Sequence, residues 1–139
     1  MRITASAHYQ FDTAEGAEEY GKLLPPGGYM VHVLDKDTGS VQPYTVTLFH
    51  QMKCLDILRQ EYLALEPGNT PSPVTHHCLN YLRQSILCRP NIRLESVKNT
   101  VGTAIRDYES VCMDWTKVYE EAERNYGVFL DWNETRGDI

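Results

Sequence analysis

Residues 45–63, TVTLFHQMKCLDILRQEYL, carry the clearest structural pattern of this chain. Apolar side chains, together with one imidazole and one thiol, recur there close to the 3.6-residue period of an α-helix: Val46, Phe49, His50, Cys54, Ile57, Leu58 and Leu63. The spacing predicts an amphipathic helix of about 20 residues.

Two more helices are predicted towards the C-terminus. Residues 66–73 contain three prolines and interrupt the first helix. A second helix is expected to start at a Thr75 cap and to run to Cys88. A third covers residues 111–126, and Gly127 is a suitable stop.

The N-terminal third is richer in turns and short strands. Thr13 is a plausible cap for a short helix, residues 29–34 read as a strand, and residues 35–39 read as an Asx-type turn. Residues 92–96 are predicted to be extended, and the aromatic residues in 129–133 to pack back on the body. The fold class is therefore mainly α, a small single-domain helical fold with a few short strands in the N-terminal third.

Length and charge limit the class of protein. A chain of 139 residues predicts one domain, 1–139, with loosely ordered ends at 1–20 and 131–139. The net charge is −6 and the few basic residues are scattered, which argues against a nucleic-acid partner. No run approaches the roughly 18 apolar residues of a membrane span. We expect a soluble chain without an anchor, in the secretory-pathway lumen or the cytoplasm.

Histidine and cysteine recur at helical spacing in two places. His50 and Cys54 lie four residues apart on one helix face, and His76, His77 and Cys78 start the second helix. Imidazole and thiolate ligands together favour copper or zinc. A histidine on an apolar helix face is, however, more often a hydrogen-bonded core residue, and a buried cysteine more often a small hydrophobe. Spacing alone leaves both interpretations open.

Three segments resemble a known family. Residues 44–59 (YTVTLFHQMKCLDILR) and 77–88 (HCLNYLRQSILC) are similar to the two HxxHC signatures of UstYa-like fungal mycotoxin-biosynthesis proteins, and residues 111–115 (VCMDW) resemble a third segment. The resemblance spans roughly residues 20–126. It implies tailoring of fungal peptides and polyketides by oxidative cyclisation, dehydrogenation, hydroxylation or halogenation. It also implies copper held by the motif histidines and, in most members, an N-terminal membrane anchor.

Two motif positions depart from this pattern. Lys53 stands where the first motif has its second histidine, and Val74 where the second motif has its first. A protonated lysine is repelled by a metal cation, and valine has no lone pair. We therefore expect no metal and no cofactor; the alternative is copper on His50, His76 and His77. The four cysteines are retained, which suggests structural thiols with as many as two disulfides among Cys54, Cys78, Cys88 and Cys112.

The remaining polar groups suit acid–base catalysis. His50 and His77 are candidates for proton transfer, and Lys53 for polarising a carbonyl or stabilising an oxyanion. Three further side chains complete the predicted site: His76, Tyr81 and Asp56. The sequence predicts a metal-independent cyclase that closes a ring in a peptide- or polyketide-type small-molecule intermediate by Michael addition, dehydration or cycloaddition.

Two other functions stay open. The first is a copper-dependent oxidase. The second is a non-catalytic subunit that forms a homodimer, or a heterodimer with an active paralogue. Metal analysis of the purified protein separates the cyclase from the oxidase.

Overall fold

A computed structural model describes residues 1–3, 6–94 and 108–137 of the chain. Helices dominate these ranges: α1 (Ala14–Gly21), α2 (Thr47–Ala64), α3 (Pro73–Cys88) and α4 (Thr116–Gly137). Four short strands accompany them: β1 (Arg2–Ile3), β2 (Met30–Leu34), β3 (Val41–Thr45) and β4 (Tyr108–Glu109). The prediction of a mainly α fold is confirmed.

The strands form two antiparallel pairs. β2 pairs with β3 from Met30↔Thr45 to Leu34↔Val41, and β1 pairs with β4. The turn after β2 is of the predicted Asx type, because the Asp35 carboxylate accepts hydrogen bonds from two backbone N–H groups at 2.9 and 3.1 Å. β4 lies outside the N-terminal third, contrary to expectation. A strand of two residues is defined by its distant partner, so it leaves no local pattern.

The helix starts follow capping chemistry. Thr13 caps α1 as predicted, its hydroxyl accepting from the Gly16 N–H at 3.0 Å. α3 begins before Thr75: Ser72 is its cap, accepting from the Thr75 N–H at 3.3 Å, and Pro73 occupies the first turn. The predicted Thr75 cap is wrong. The fixed backbone angle φ of proline suits the first position of a helix, so α3 starts at Pro73, two residues before Thr75. Thr75 is instead buried inside the helix.

Helix α4 passes through the predicted stop at Gly127 and continues to Gly137. Glycine inside a helix costs about 1 kcal/mol relative to alanine, and contacts on either side offset that cost. The Asn125 amide exchanges two hydrogen bonds of 2.7 Å with the His32 backbone, and the Phe129 ring stacks on the His32 ring with centroids 3.5 Å apart. The tail aromatics do pack back on the body, but as part of a helix.

The small core lies where α2 meets α3 and α4. Phe49, Cys54 and Cys78 are essentially inaccessible to solvent. The Phe49 ring contacts the Tyr119 ring of α4 edge-on, with centroids 4.9 Å apart, and the Tyr119 hydroxyl donates to the Leu23 carbonyl at 2.8 Å. Burial raises the pKa of Tyr119. The first half of α2 therefore packs against both α3 and α4.

Two expectations concern the ends and the membrane. Residues 14–20 belong to α1 and residues 131–137 to α4, so parts of both predicted loose ends are helical. Of the predicted extended piece at 92–96, residues 92–94 belong to no helix or strand, and the rest lies outside the described residues. In the described part of the chain, no helix combines the length and apolar character needed to cross a membrane.

Candidate functional site

A disulfide fastens α2 to α3 at the centre of the candidate site. Cys54 and Cys78 are bonded, with Cα atoms 4.9 Å apart, and each is 1% exposed. This is one pair among the predicted disulfide candidates. Cys88 and Cys112 are free, exposed thiols in this structure. The disulfide places the residues one turn away on each helix opposite one another.

His50, His77 and Tyr81 come together beside this disulfide. The His50 Nε2 and His77 Nε2 atoms are 3.4 Å apart, within hydrogen-bonding distance. The His50 ring stacks on the Tyr81 ring, with centroids 4.0 Å apart and planes 22° from parallel. A hydrogen bond between two neutral imidazoles uses the N–H of one ring and the lone pair of the other, and which ring donates depends on the tautomers. His77 is exposed and His50 half-buried, which leaves the pair open to a ligand.

The remaining predicted site residues lie at different positions. Lys53 directly precedes Cys54, just as His77 directly precedes Cys78, and it is half-buried. His76 is exposed one step further round α3. Asp56 accepts from Arg59 Nε at 3.0 Å and from Gln60 Nε2 at 2.6 Å. Its carboxylate is therefore engaged along α2 and is not in the histidine pair.

A carboxylate fastens the other end of the α2–α3 hairpin. The Ser72 N–H donates to Glu61 Oε1 at 2.8 Å, and this backbone hydrogen bond is the main reason that the pKa of Glu61 lies below its ordinary value of 4.5. The contact joins the last turn of α2 to the cap of α3. Sequence reasoning missed it, although Ser72-Pro73 directly before a helical pattern is a recognisable start signal.

The described residues do not complete a metal site. Two imidazole nitrogens about 3.4 Å apart match the spacing of two ligands that each lie about 2.0–2.1 Å from a tetrahedral ion. The neighbouring sulfurs are in a disulfide and cannot act as thiolates. Within the described ranges, no group of three or more histidine, cysteine, aspartate or glutamate side chains is placed to hold an ion. The donor set present thus falls short of the copper site that the resemblance implies.

A cavity of about 430 Å³ lies between β2 and α4, and neither histidine of the pair lines it. Val46, the residue that directly precedes α2, also lines the cavity. Its lining carries both charges and an amide, from Lys117, Glu121, Arg124 and Asn125. A second cavity, of about 370 Å³, lies between the start of α4 and the N-terminal residues Tyr9, Lys22 and Leu23.

Comparison with known proteins agrees with the motifs. Residues 10–136 match the family described as Mycotoxin biosynthesis protein UstYa. The match covers most of the chain, and the chain belongs to this family.

Two relatives carry names that describe an activity. The chain is 34% identical over 84 residues to the UstYa family oxidase phomYb of Diaporthe leptostromiformis, which is 56% of this chain and 34% of that protein. It is 33% identical over 86 residues to the oxidase ustYa of Aspergillus flavus, which is 58% of this chain and 40% of that protein. The matched region is thus less than half of either relative. No solved structure matches. The family description names mycotoxin biosynthesis, and both relatives are named oxidases.

Proposed function

We propose that this chain closes a ring in a peptide- or polyketide-type intermediate of fungal secondary metabolism by metal-independent acid–base chemistry at His50 and His77. The observation that supports this most directly is the 3.4 Å approach of the two Nε2 atoms. The other two motif positions hold Lys53, which cannot bind a metal unless it loses its proton, and Val74, whose side chain has no lone pair.

A pair of facing imidazoles can both remove and return a proton. One ring takes a proton from the nucleophile and becomes an imidazolium, and this cation, directly or through the hydrogen bond to the other ring, returns a proton to the developing carbanion or enolate. In a Michael addition the two transfers balance, so the enzyme ends in its starting state. In a dehydration the proton leaves with the departing hydroxyl as water.

Neighbouring side chains assist this cycle. The stacked Tyr81 ring fixes the plane of His50, so that its Nε2 keeps facing His77. Lys53 is on the same side of the hairpin as His77 and can hydrogen-bond to an enolate or other oxyanion. Asp56 is bound by Arg59 and is left out of the cycle, and His76 is assigned no step.

Product mass is the readout that tests the proposal. A Michael addition or cycloaddition leaves the mass of the intermediate unchanged, and a dehydration removes one water. We expect His50→Ala and His77→Ala each to lower turnover by about 10²–10⁴-fold, the usual contribution of a general acid or base. His76→Ala, a matched exposed histidine on the same helix, is expected to retain activity.

An oxidase is the second candidate, favoured by the names of the two relatives. It predicts a product that has lost two hydrogens or gained one oxygen, together with stoichiometric copper and loss of activity on chelation. That result would overturn the acid–base proposal. Unchanged turnover in both histidine variants would overturn the site at His50 and His77, and a wild-type chain without turnover of its own would favour the non-catalytic subunit.

A further inference from the structure

The α2–α3 hairpin has a second pair of side-chain rows beside the pair that joins the two helices. The inner rows are the helix positions in line with the Cys54–Cys78 and His50–Tyr81 contacts: His50, Cys54, Ile57 and Glu61 on α2, and Val74, Cys78, Tyr81 and Ser85 on α3. The outer rows consist of the residues that directly follow the inner-row residues in the sequence. On α2 they comprise Gln51, Leu55, Leu58 and Tyr62, and on α3 Thr75, Leu79, Leu82 and Ile86.

The two outer rows lie on the same side of the hairpin. One residue turns about 100° round an α-helix, as follows from about 3.6 residues per turn. The helices are antiparallel, because His50 meets Tyr81 whereas Glu61 meets Ser72. On two antiparallel helices, the residue that follows each inner-row residue therefore points to the same side of the hairpin. The two outer rows share that side.

This side is opposite the histidine pair and α4. Phe49, which contacts Tyr119 of α4, precedes the inner row by one residue, as Lys53 does. His77 precedes the inner row of α3 in the same way. The hairpin thus has a polar side, which carries the candidate site, and the outer-row side.

The outer rows are uncharged, and solvent reaches every member except the buried Thr75: Gln51, Leu58 and Leu82 are half-buried, and the other four are exposed. Leu55 is 42% exposed, Leu79 54% and Ile86 65%. Tyr62, 71% exposed, contacts the ring of Phe11, itself 44% exposed, with centroids 5.5 Å apart. Both rows repeat at spacings of four, three and four residues. This is the spacing with which one helix packs side chains between those of another helix.

The size of the face suits a protein interface. α2 has 18 residues, so the hairpin face is about 27 Å long and about 20 Å wide, or roughly 540 Å² for each copy. Two such faces together exceed the roughly 1,000 Å² that a specific interface needs.

We propose that the outer rows bind the same rows of a second copy of this chain, so that two α2–α3 hairpins form a four-helix bundle. An uncharged face with helix-packing spacing on both helices fits a partner with the same two rows, and a two-fold axis supplies one. The histidine pairs of the two copies then face outward on opposite sides of the bundle.

Sedimentation equilibrium of the purified chain over micromolar concentrations tests this. We expect a dimer, and we expect Leu79→Glu with Ile86→Glu to weaken it by roughly 100-fold or more, because each charge would be buried without a partner. Leu87→Glu is the matched control: Leu87 is 64% exposed on the same helix but lies outside the outer rows, so its dimer should persist. Circular dichroism checks that all variants keep their helices.

A mixing experiment tests whether the face meets itself. The variant with Glu at residues 79 and 86 and a variant with Lys at both should each be monomeric, and their equimolar mixture should dimerise. A monomeric wild-type chain, equal dissociation by Leu87→Glu, or no dimer in the mixture would each overturn the proposal. A wild-type monomer that floats with phosphatidylcholine vesicles, when the Glu variant does not, would assign the face to a lipid surface instead.

Discussion

Cys54 in the middle of α2 is bonded to Cys78 in the first half of α3, with Cα atoms 4.9 Å apart. His50 is one turn before the first cysteine, and His77 is adjacent to the second. The disulfide therefore sets the separation of the imidazoles as well as that of the helices.

Removing this disulfide should destabilise the fold and loosen the histidine pair. It closes a loop over a sequence separation of 24 residues. Closure of such a loop stabilises a protein by about 3 kcal/mol. Cys54→Ser with Cys78→Ser should lower the free energy of unfolding by about that amount in denaturant titration. Cys88→Ser, at an exposed free thiol, is the control and should leave stability within about 0.5 kcal/mol of wild type. Equal stability of the double variant would contradict a structural role.

Replacing Tyr81 should separate positioning from catalysis. Tyr81→Leu removes the ring stacked on His50 but keeps an apolar side chain of similar length. Loss of an aromatic pair costs about 0.5–1.5 kcal/mol, so we expect a partial fall in turnover, well short of that in His77→Ala. The measurement is turnover in parallel with the free energy of unfolding. Turnover as low as in His77→Ala would instead indicate that the tyrosine hydroxyl takes part in the reaction.

The Glu61 carboxylate should make the hairpin sensitive to acid. Its pKa in the folded chain is below the ordinary 4.5 because the Ser72 N–H donates to it. A lowered folded pKa stabilises the protein fully above the unfolded pKa, and this contribution is lost as pH falls through the folded pKa. Glu61→Gln should therefore lower stability at neutral pH, and the difference from wild type should shrink below pH 4.5.

Unfolding curves at a series of pH values measure this difference. Glu123→Gln, at an exposed glutamate on α4, serves as the control for removal of one negative charge. A wild-type-minus-Glu61→Gln difference that stays constant through the acid range would show that the Ser72 contact contributes nothing.

Alanine substitutions at two separate glycines, Gly27 and Gly21, test the close approach of α4 to the loop before β2. A Cβ atom on Gly27 would lie 2.9 Å from Tyr126 Cγ and 3.1 Å from Tyr126 Cβ, so the helix would have to move. We expect Gly27→Ala to destabilise the protein by about 1–3 kcal/mol, as overpacking does. At Gly21, the last residue of α1, a Cβ meets nothing within 4 Å. Gly21→Ala should therefore stabilise slightly, by about 0.4–1 kcal/mol. Thermal melting of both variants measures the contrast, and two equal shifts would place Tyr126 elsewhere.

Local chemistry was readable from the sequence alone. The helical period of residues 45–63 predicted α2, Thr13 predicted the start of α1, and Asp35 predicted the turn after β2. Each of these depends on groups within a few residues of one another. The motif residues likewise identified the family, since His50, Cys54, His77 and Cys78 lie in short contiguous segments.

Only the tertiary structure decided what depends on partners far apart in the chain. Gly127 is a helix stop by local preference, but it stays helical because Asn125 and Phe129 bind β2. The pairing of Cys54 with Cys78 was one of several that the sequence allowed, and Asp56 turned to Arg59 rather than to the histidines. Each outcome depends on which of several competing long-range contacts has the lowest free energy. The sequence shows which residues are available for such contacts, but not which contact is the most stable. The Nε2 atoms of His50 and His77 are close for the same reason: an antiparallel packing of two helices brings together residues that are 27 positions apart.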